Sequence, residues 1–86
     1  MYVGVQRKEI EMTTYELHPT DGRKSFYGKA IVIDDKLYSY GTLIMSRNED
    51  GTYTRHWDDW SATTGRHIIA FCGMHKKEFM ALPLVL

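Results

Sequence analysis

The sequence has little of several features that would narrow its function directly. It contains one cysteine, Cys72, so no disulfide can form within the chain, and this favours a reducing compartment. Eleven basic residues balance eleven acidic residues, which excludes a strong overall field towards nucleic acid or an anionic membrane. The apolar stretch over residues 79–86 is too short to cross a bilayer and contains Pro83. These absences predict a cytoplasmic protein with no membrane partner.

The residues that are present predict a folded domain of small size. The chain has 86 residues, of which 43% are hydrophobic and 13% aromatic, a composition typical of a globule rather than a disordered segment. We therefore expect a single domain over residues 1–86, with a thin margin of stability because so short a chain buries limited surface. Oligomerisation would add buried area, so a homodimer stays open.

Runs of β-branched and aromatic residues, separated by turn residues, predict an antiparallel sheet of three to four strands. The predicted strands cover residues 2–17, 26–33, 36–46 and 52–60. Asp34 and Asp35 are predicted to form a two-residue hairpin turn, and residues 48–51 a second hairpin loop. Residues 18–23 contain Pro19 and an Asp-Gly pair, which predict a loop.

The apolar spacing changes after Trp60 and predicts a helix. Ser61 or Thr63 can cap its first turn, and Gly73 stands where a glycine commonly ends a helix. Residues 76–82 are predicted to form a second short helix, with a closing strand as the alternative. The predicted fold is therefore α+β, with one main helix packed on one face of the sheet.

Polar residues cluster at the start of the predicted main helix. They are Ser61, Thr63, Thr64, Arg66 and His67. Unpaired backbone N–H groups and the helix dipole can hold a phosphate there, with hydroxyls and the guanidinium adding bonds. The alternative is structural, with the hydroxyls capping the helix while Arg66 and His67 pair with acidic residues such as Asp58 and Asp59.

Aromatic residues on the predicted strands form a second candidate binding surface. Its members are Tyr38, Tyr40, Tyr53 and Trp57, with Trp60 beside them. If they lie opposite the helix, they form a platform that stacks bases or anchors a protein. Lys29, Lys36 and Arg55 would give this platform a basic rim. The alternative is that the rings belong to the core or to ordinary cross-strand pairs.

The sequence gives little support for metal binding or catalysis. Cys72 and His75 can share a helix face, but His67 does not share a face with Cys72, and two ligands are too few for structural zinc. A thiol at the end of a helix has its pKa raised rather than lowered by the dipole. We therefore expect no enzyme activity, no metal and no cofactor.

Two segments resemble an uncharacterised domain family. The residues that carry the resemblance are Leu37, Tyr38, Ser39, Tyr40 and Thr42, then Trp60, Ser61, Thr63, Thr64, Arg66, His67, Ile68 and Phe71. The resemblance covers about residues 26–80, and Cys72 departs from the leucine expected there. It implies a small accessory protein of phages and mobile elements of Gram-positive and gut bacteria, located in the bacterial cytoplasm.

Two functions follow as expectations. The first is a non-enzymatic binding module that acts on a host protein, for example a defence component. The second is a nucleic-acid or nucleotide-binding protein that holds phosphate at the helix N-terminus and bases on the sheet aromatics. The first predicts loss of binding on removal of Trp57 or Tyr40, and the second predicts salt-sensitive affinity that falls when Arg66 is removed.

Overall fold

A computed structural model describes residues 14–20 and 25–86, which form a sheet and two helices. The elements, in chain order, are β1 Thr14–Glu16, β2 Ala30–Ile33, β3 Lys36–Ser39, β4 Thr42–Arg47, β5 Tyr53–Arg55, α1 Ala62–Cys72 and α2 Lys76–Met80. Residues 2–13 of the strand predicted over residues 2–17, and residues 21–23 of the loop predicted over residues 18–23, lie outside the described residues. The α+β class is confirmed.

Every strand of the sheet pairs antiparallel with its neighbour in sequence, in the order β1-β2-β3-β4-β5. The described sheet therefore has five strands, and the prediction of three to four was wrong. The additional strand arises because the segment 36–46, predicted as one strand, folds back on itself at Tyr40 and Gly41, so that Ser39 pairs with Thr42.

Two-residue turns with positive φ at both positions connect the central strands. Asp34 and Asp35, with φ of 53° and 66°, join β2 to β3, which confirms the predicted hairpin. Tyr40 and Gly41, with φ of 52° and 82°, join β3 to β4. This conformation matches the right-handed twist of the flanking strands, and glycine or a short polar residue adopts it most easily. Tyr40 is an exception to this preference, so the turn at residues 40–41 was not predicted from the sequence.

Two predicted strands are shorter than expected. The predicted strand over residues 26–33 begins only at Ala30, because Tyr27 and Gly28 also form a turn, with φ of 55° and 74°. The predicted strand over residues 52–60 ends at Arg55, beyond which residues 56–60 run without regular structure to the start of α1.

The main helix begins and ends where the sequence predicts. Ser61 is the N-cap, and its hydroxyl oxygen accepts a hydrogen bond of 3.1 Å from the backbone nitrogen of Thr64. Gly73 ends the helix with φ of 80°, and its N–H donates to the carbonyl of Ile69. The second short helix is also formed, although Leu84 makes an isolated parallel bridge with Arg55 farther along the chain.

Two arginines on the sheet hold the helices in place. Arg47 donates to the carbonyl of Phe71 at 3.2 Å, and its guanidinium lies 4.6 Å from the centre of that ring, close to the end of α1. Arg55 donates to the carbonyl of Met80 at 3.2 Å and pairs with Asp58 at 2.8 Å. Each cation therefore satisfies a carbonyl near a helix C-terminus, where positive charge is favoured.

The core lies between one face of the sheet and the two helices. Its buried hydrophobic residues are Leu17, Phe26, Ala30, Val32, Leu37, Ile44, Met45, Ile68, Phe71 and Phe79. Alternation along β2 and β3 sends one set of side chains into this core and leaves the other on the opposite face. None of the helices in the described ranges is long and apolar enough to span a membrane.

Candidate functional site

A pocket of about 180 Å³ opens between two turns of the sheet and the first turns of α1. We call it the Tyr27–Tyr40 pocket, and its lining residues are Ser25, Phe26, Tyr27, Lys29, Tyr40, Thr63, Arg66 and His67. These eight described residues include two cations, two aliphatic hydroxyl side chains and four aromatic rings but no carboxylate. The pocket therefore combines positive charge with aromatic surface.

The two tyrosines of the pocket have unusual exposure and backbone conformation. Tyr27 is 76% exposed and Tyr40 is 59% exposed, and both have positive φ. The left-handed conformation costs a residue with a side chain about 1–2 kcal/mol, and such strain concentrates at binding and catalytic sites. A hydrogen bond of 2.8 Å from the Tyr40 nitrogen to the Lys29 carbonyl joins the two turns. The two turns therefore lie side by side and place the Tyr27 and Tyr40 rings at the edge of the pocket.

The cations of the pocket rest against aromatic rings. The Lys29 Nζ atom lies 5.9 Å from the centre of the Tyr40 ring, and the guanidinium carbon of Arg66 lies 5.2 Å from the centre of the Phe26 ring. Such contacts orient a cation relative to the face of the ring. Lys29 is exposed and Arg66 is half-buried, so one cation stands at the mouth and the other deeper.

A buried polar cluster forms the floor beneath Tyr40. The Ser39 hydroxyl lies 2.8 Å from His67 Nδ1 and 3.0 Å from the Thr64 hydroxyl. Burial, together with the nearby Arg66 charge, lowers the pKa of His67, so the ring is neutral at pH 7. Because these hydrogen bonds join Thr64 and His67 of α1 to Ser39 of β3, the cluster links the helix to the sheet and provides an uncharged floor.

The structure brings together four of the site residues predicted from the sequence. Tyr40, Thr63, Arg66 and His67 all line the Tyr27–Tyr40 pocket. Ser61 and Thr64 support it without lining it, since Ser61 caps the helix and Thr64 belongs to the buried floor. The helix start and part of the aromatic set, which were predicted as separate surfaces, therefore meet at one site.

The predicted aromatic platform does not form, because its rings lie on different faces. Tyr38 alternates with buried Leu37 and Ser39, so it lies on the sheet face away from α1. Tyr53 lies on the α1 side, with its ring centre 6.2 Å from that of Phe71. Trp57 packs against the core. Of the four tyrosine and tryptophan residues predicted, Tyr40 is the one at the pocket.

The polar partners near the helix start also differ from those expected. Asp58 accepts from Arg55 at 2.8 Å, and Asp59 accepts from the backbone nitrogen of Trp60 at 2.7 Å. Of the predicted basic rim, Lys29 lies at the pocket, whereas Arg55 is buried beside α2.

Sequence analysis missed three lining residues, namely Ser25, Phe26 and Tyr27. The signal that was available is the glycine that follows a tyrosine at residues 27–28 and again at residues 40–41. Glycine is a common turn residue because it adopts positive φ, although the tyrosine before it favours strands and obscures the turn.

The cysteine and histidines do not assemble into a metal site. The Cys72 sulfur lies 3.4 Å from the Ile68 carbonyl and 4.0 Å from the Met45 sulfur, and burial raises the pKa of its thiol. Within residues 14–20 and 25–86, no three His, Cys, Asp or Glu side chains lie close enough to hold a metal ion.

The comparison with known families identifies the family of the chain, and that family has no known activity. Residues 15–81 match the model of a family described as a family of unknown function (DUF8033), and the chain belongs to that family. All the residues that line the Tyr27–Tyr40 pocket fall within the matched region. Neither the curated proteins nor the solved structures contain a match to the chain.

Proposed function

We propose that this protein is a non-enzymatic binding module that takes an anionic group of its ligand in the Tyr27–Tyr40 pocket. The observation that carries the proposal is the placement of Lys29 and Arg66 on a pocket to which the described residues contribute no carboxylate. The chain has no net charge, so this concentration of positive charge is local rather than a consequence of composition. The hydroxyls of Ser25 and Thr63 supply further donors for an anion.

The size of the pocket indicates that it holds one group of a larger ligand. Its volume of about 180 Å³ is below the roughly 300–1,000 Å³ of sites that enclose small molecules. The remainder of the ligand must then lie outside, along the surface that carries Tyr27 and Tyr40. A macromolecular partner is therefore favoured over a small metabolite.

A protein partner with an acidic segment is the second candidate. Tyrosine and arginine are enriched among the residues that dominate protein interfaces, and Tyr27 and Tyr40 offer large exposed rings. In this proposal the partner is a protein of a bacterial host, such as a defence component, and the chain is an accessory protein of a phage or mobile element. An acidic loop of that partner would enter the pocket.

The proposal is tested by NMR titration of the amide-labelled protein with inorganic pyrophosphate, with an oligoglutamate peptide in parallel. We expect shifts confined to residues 25–29, Tyr40 and residues 63–67, which are lost in Arg66→Gln and unchanged in Lys77→Gln, a control on α2. The carboxylate of Glu16 lies beside Gly28, so Glu16→Gln is expected to strengthen pyrophosphate binding. Shifts centred on Lys76 and Lys77, or no shifts with either probe, would refute it.

A further inference from the structure

We infer that the ligand of the Tyr27–Tyr40 pocket is single-stranded nucleic acid, with a phosphate held between Lys29 and Arg66 and a base stacked on Tyr27. The inference rests on the proposed function, because it assigns a chemical class to the anion bound there. It adds a requirement that an anion site alone does not have, namely that the ligand carries planar bases.

Tyr27 is the ring available for stacking. It is 76% exposed, and among the described residues no ring or cation contact engages it. The Tyr40 ring, in contrast, lies 5.8 Å from His67 and carries Lys29 at 5.9 Å. Tyr40 therefore orients the cation, whereas Tyr27 offers its face. Stacking of bases on exposed aromatic rings beside a basic groove is how single-strand binders hold their ligand.

A second cavity adjoins the Tyr27–Tyr40 pocket and would accept the next unit of a polymer bound there. It has a volume of about 120 Å³, is lined by Pro19, Thr20, Phe26, Arg66 and Ile69, and shares Phe26 and Arg66 with the Tyr27–Tyr40 pocket. The Arg66 side chain therefore stands where the two cavities adjoin, so it can contact the phosphate that links two successive nucleotides. Two small adjoining cavities fit a chain of repeated units better than one compact ligand.

The shape and charge of the site favour a single strand over a duplex. In a duplex the bases are stacked and paired, so their faces are unavailable to Tyr27. Duplex affinity comes chiefly from many phosphate contacts, and a chain with no net charge and two cations at its pocket offers few of them. The site is a concavity between two turns and α1, whereas a protein that reads a duplex inserts a projecting helix or β-ribbon into its groove.

The inference is tested by fluorescence anisotropy with a labelled oligothymidylate of about eight nucleotides. The comparison ligands are an oligomer of the same length and charge that lacks bases, and a duplex of the same length. We expect the base-free oligomer to bind roughly 5- to 150-fold more weakly, which is the effect of losing one stacked base. The duplex is also expected to bind more weakly than the single strand.

Variants at Tyr27 separate stacking from folding. Tyr27→Asn removes the ring but keeps a residue that tolerates positive φ, and we expect it to weaken oligothymidylate binding by about 5- to 50-fold. Tyr27→Phe keeps the ring and is expected to bind within about two-fold of wild type, since stacking uses the ring face. Tyr15→Asn, at a tyrosine that is 44% exposed outside the pocket, is the matched control and should leave affinity unchanged.

Each contrary result has its own meaning. Equal affinity for oligothymidylate and the base-free oligomer, together with pyrophosphate shifts at the pocket, overturns the inference and leaves the proposed function standing. Binding of oligoglutamate but not oligothymidylate also overturns it, in favour of an acidic protein segment. Failure of pyrophosphate, oligoglutamate and oligothymidylate alike overturns both the inference and the proposed function.

Discussion

At the scale of single residues, Tyr27 gives the clearest support for the proposed binding site. Tyr27 holds a bulky side chain in the left-handed region, which is unfavourable for a residue with a side chain. The next residue, Gly28, adopts the same region without this cost. The ring contributes little buried surface, because most of it is exposed. Folding therefore gains little buried surface from a tyrosine there, and the proposed stacking of a ligand on the ring would account for the strain.

Replacing Tyr27 with glycine is expected to stabilise the fold and impair binding at once. Tyr27→Gly removes the positive-φ cost of about 1–2 kcal/mol, partly offset by the greater freedom of an unfolded glycine, so we expect a net gain of up to about 1 kcal/mol. Urea denaturation measures the gain, and anisotropy with oligothymidylate measures the expected loss of affinity. A variant that is less stable than wild type, or that binds equally well, would contradict this interpretation of Tyr27.

The neutral His67 predicts a dependence of stability on pH. Burial lowers the folded pKa of this ring, whereas in the unfolded chain it takes a proton near its ordinary value of about 6.5. The unfolded state therefore binds more protons just below that pH, so the free energy of unfolding is full above about pH 6.5 and falls below it. Denaturation at about pH 7.5 and about pH 5.5 should show a larger loss in wild type than in His67→Gln. Equal losses in the two proteins would show that His67 does not cause the dependence.

At the scale of elements, Trp60 joins the two helices. Its ring packs directly on Gly65 of α1, and its centre lies 5.8 Å from that of Phe79 in α2. A methyl group at residue 65 would lie 2.7 Å from Trp60 Cε2, which is closer than carbon atoms approach. Glycine in this helix is therefore explained by close packing, although it weakens the helix itself.

The substitution Gly65→Ala tests this packing. Overpacking costs about 1–3 kcal/mol, which exceeds the gain of about 1 kcal/mol that alanine brings to a helix interior. We expect a lower midpoint in thermal and urea denaturation. Thr63→Ala, an exposed position in the same helix, is the control and should be neutral or stabilising. An increase in stability for Gly65→Ala would show that Trp60 can move aside without cost.

The elements that local chemistry specifies were predictable from the sequence. Ser61 and Gly73 mark the ends of α1 because capping depends on the residue types at those positions, and Asp34-Asp35 marks a turn for the same reason. The Tyr40-Gly41 turn was missed because tyrosine favours strands, and tertiary context overrides that preference. No pocket was predicted from the sequence: the helix residues that line it cluster in sequence and were identified as candidates, whereas Tyr27 joins them only through the folding of the sheet.

At the scale of the whole molecule, the fold brings two cations to one pocket of a chain that has no net charge. Lys29 comes from the turn before β2 and Arg66 from α1, so both sheet and helix are needed to bring them to one pocket. Two contacts to phosphate predict a modest salt dependence, with a slope of about −1.4 for the logarithm of affinity against the logarithm of salt concentration. If the protein bound its ligand through overall charge, the salt dependence would not depend on Lys29 and Arg66 in particular.

The most direct test of the binding site is to measure oligothymidylate affinity against salt for two double variants of equal net charge. Lys29→Gln with Arg66→Gln removes both pocket cations, whereas Lys76→Gln with Lys77→Gln removes two cations from α2. With folding checked by circular dichroism, the first pair is expected to lose at least about ten-fold in affinity together with most of the salt slope, and the second to match wild type. Equal losses from the two pairs would contradict a specific site at the Tyr27–Tyr40 pocket.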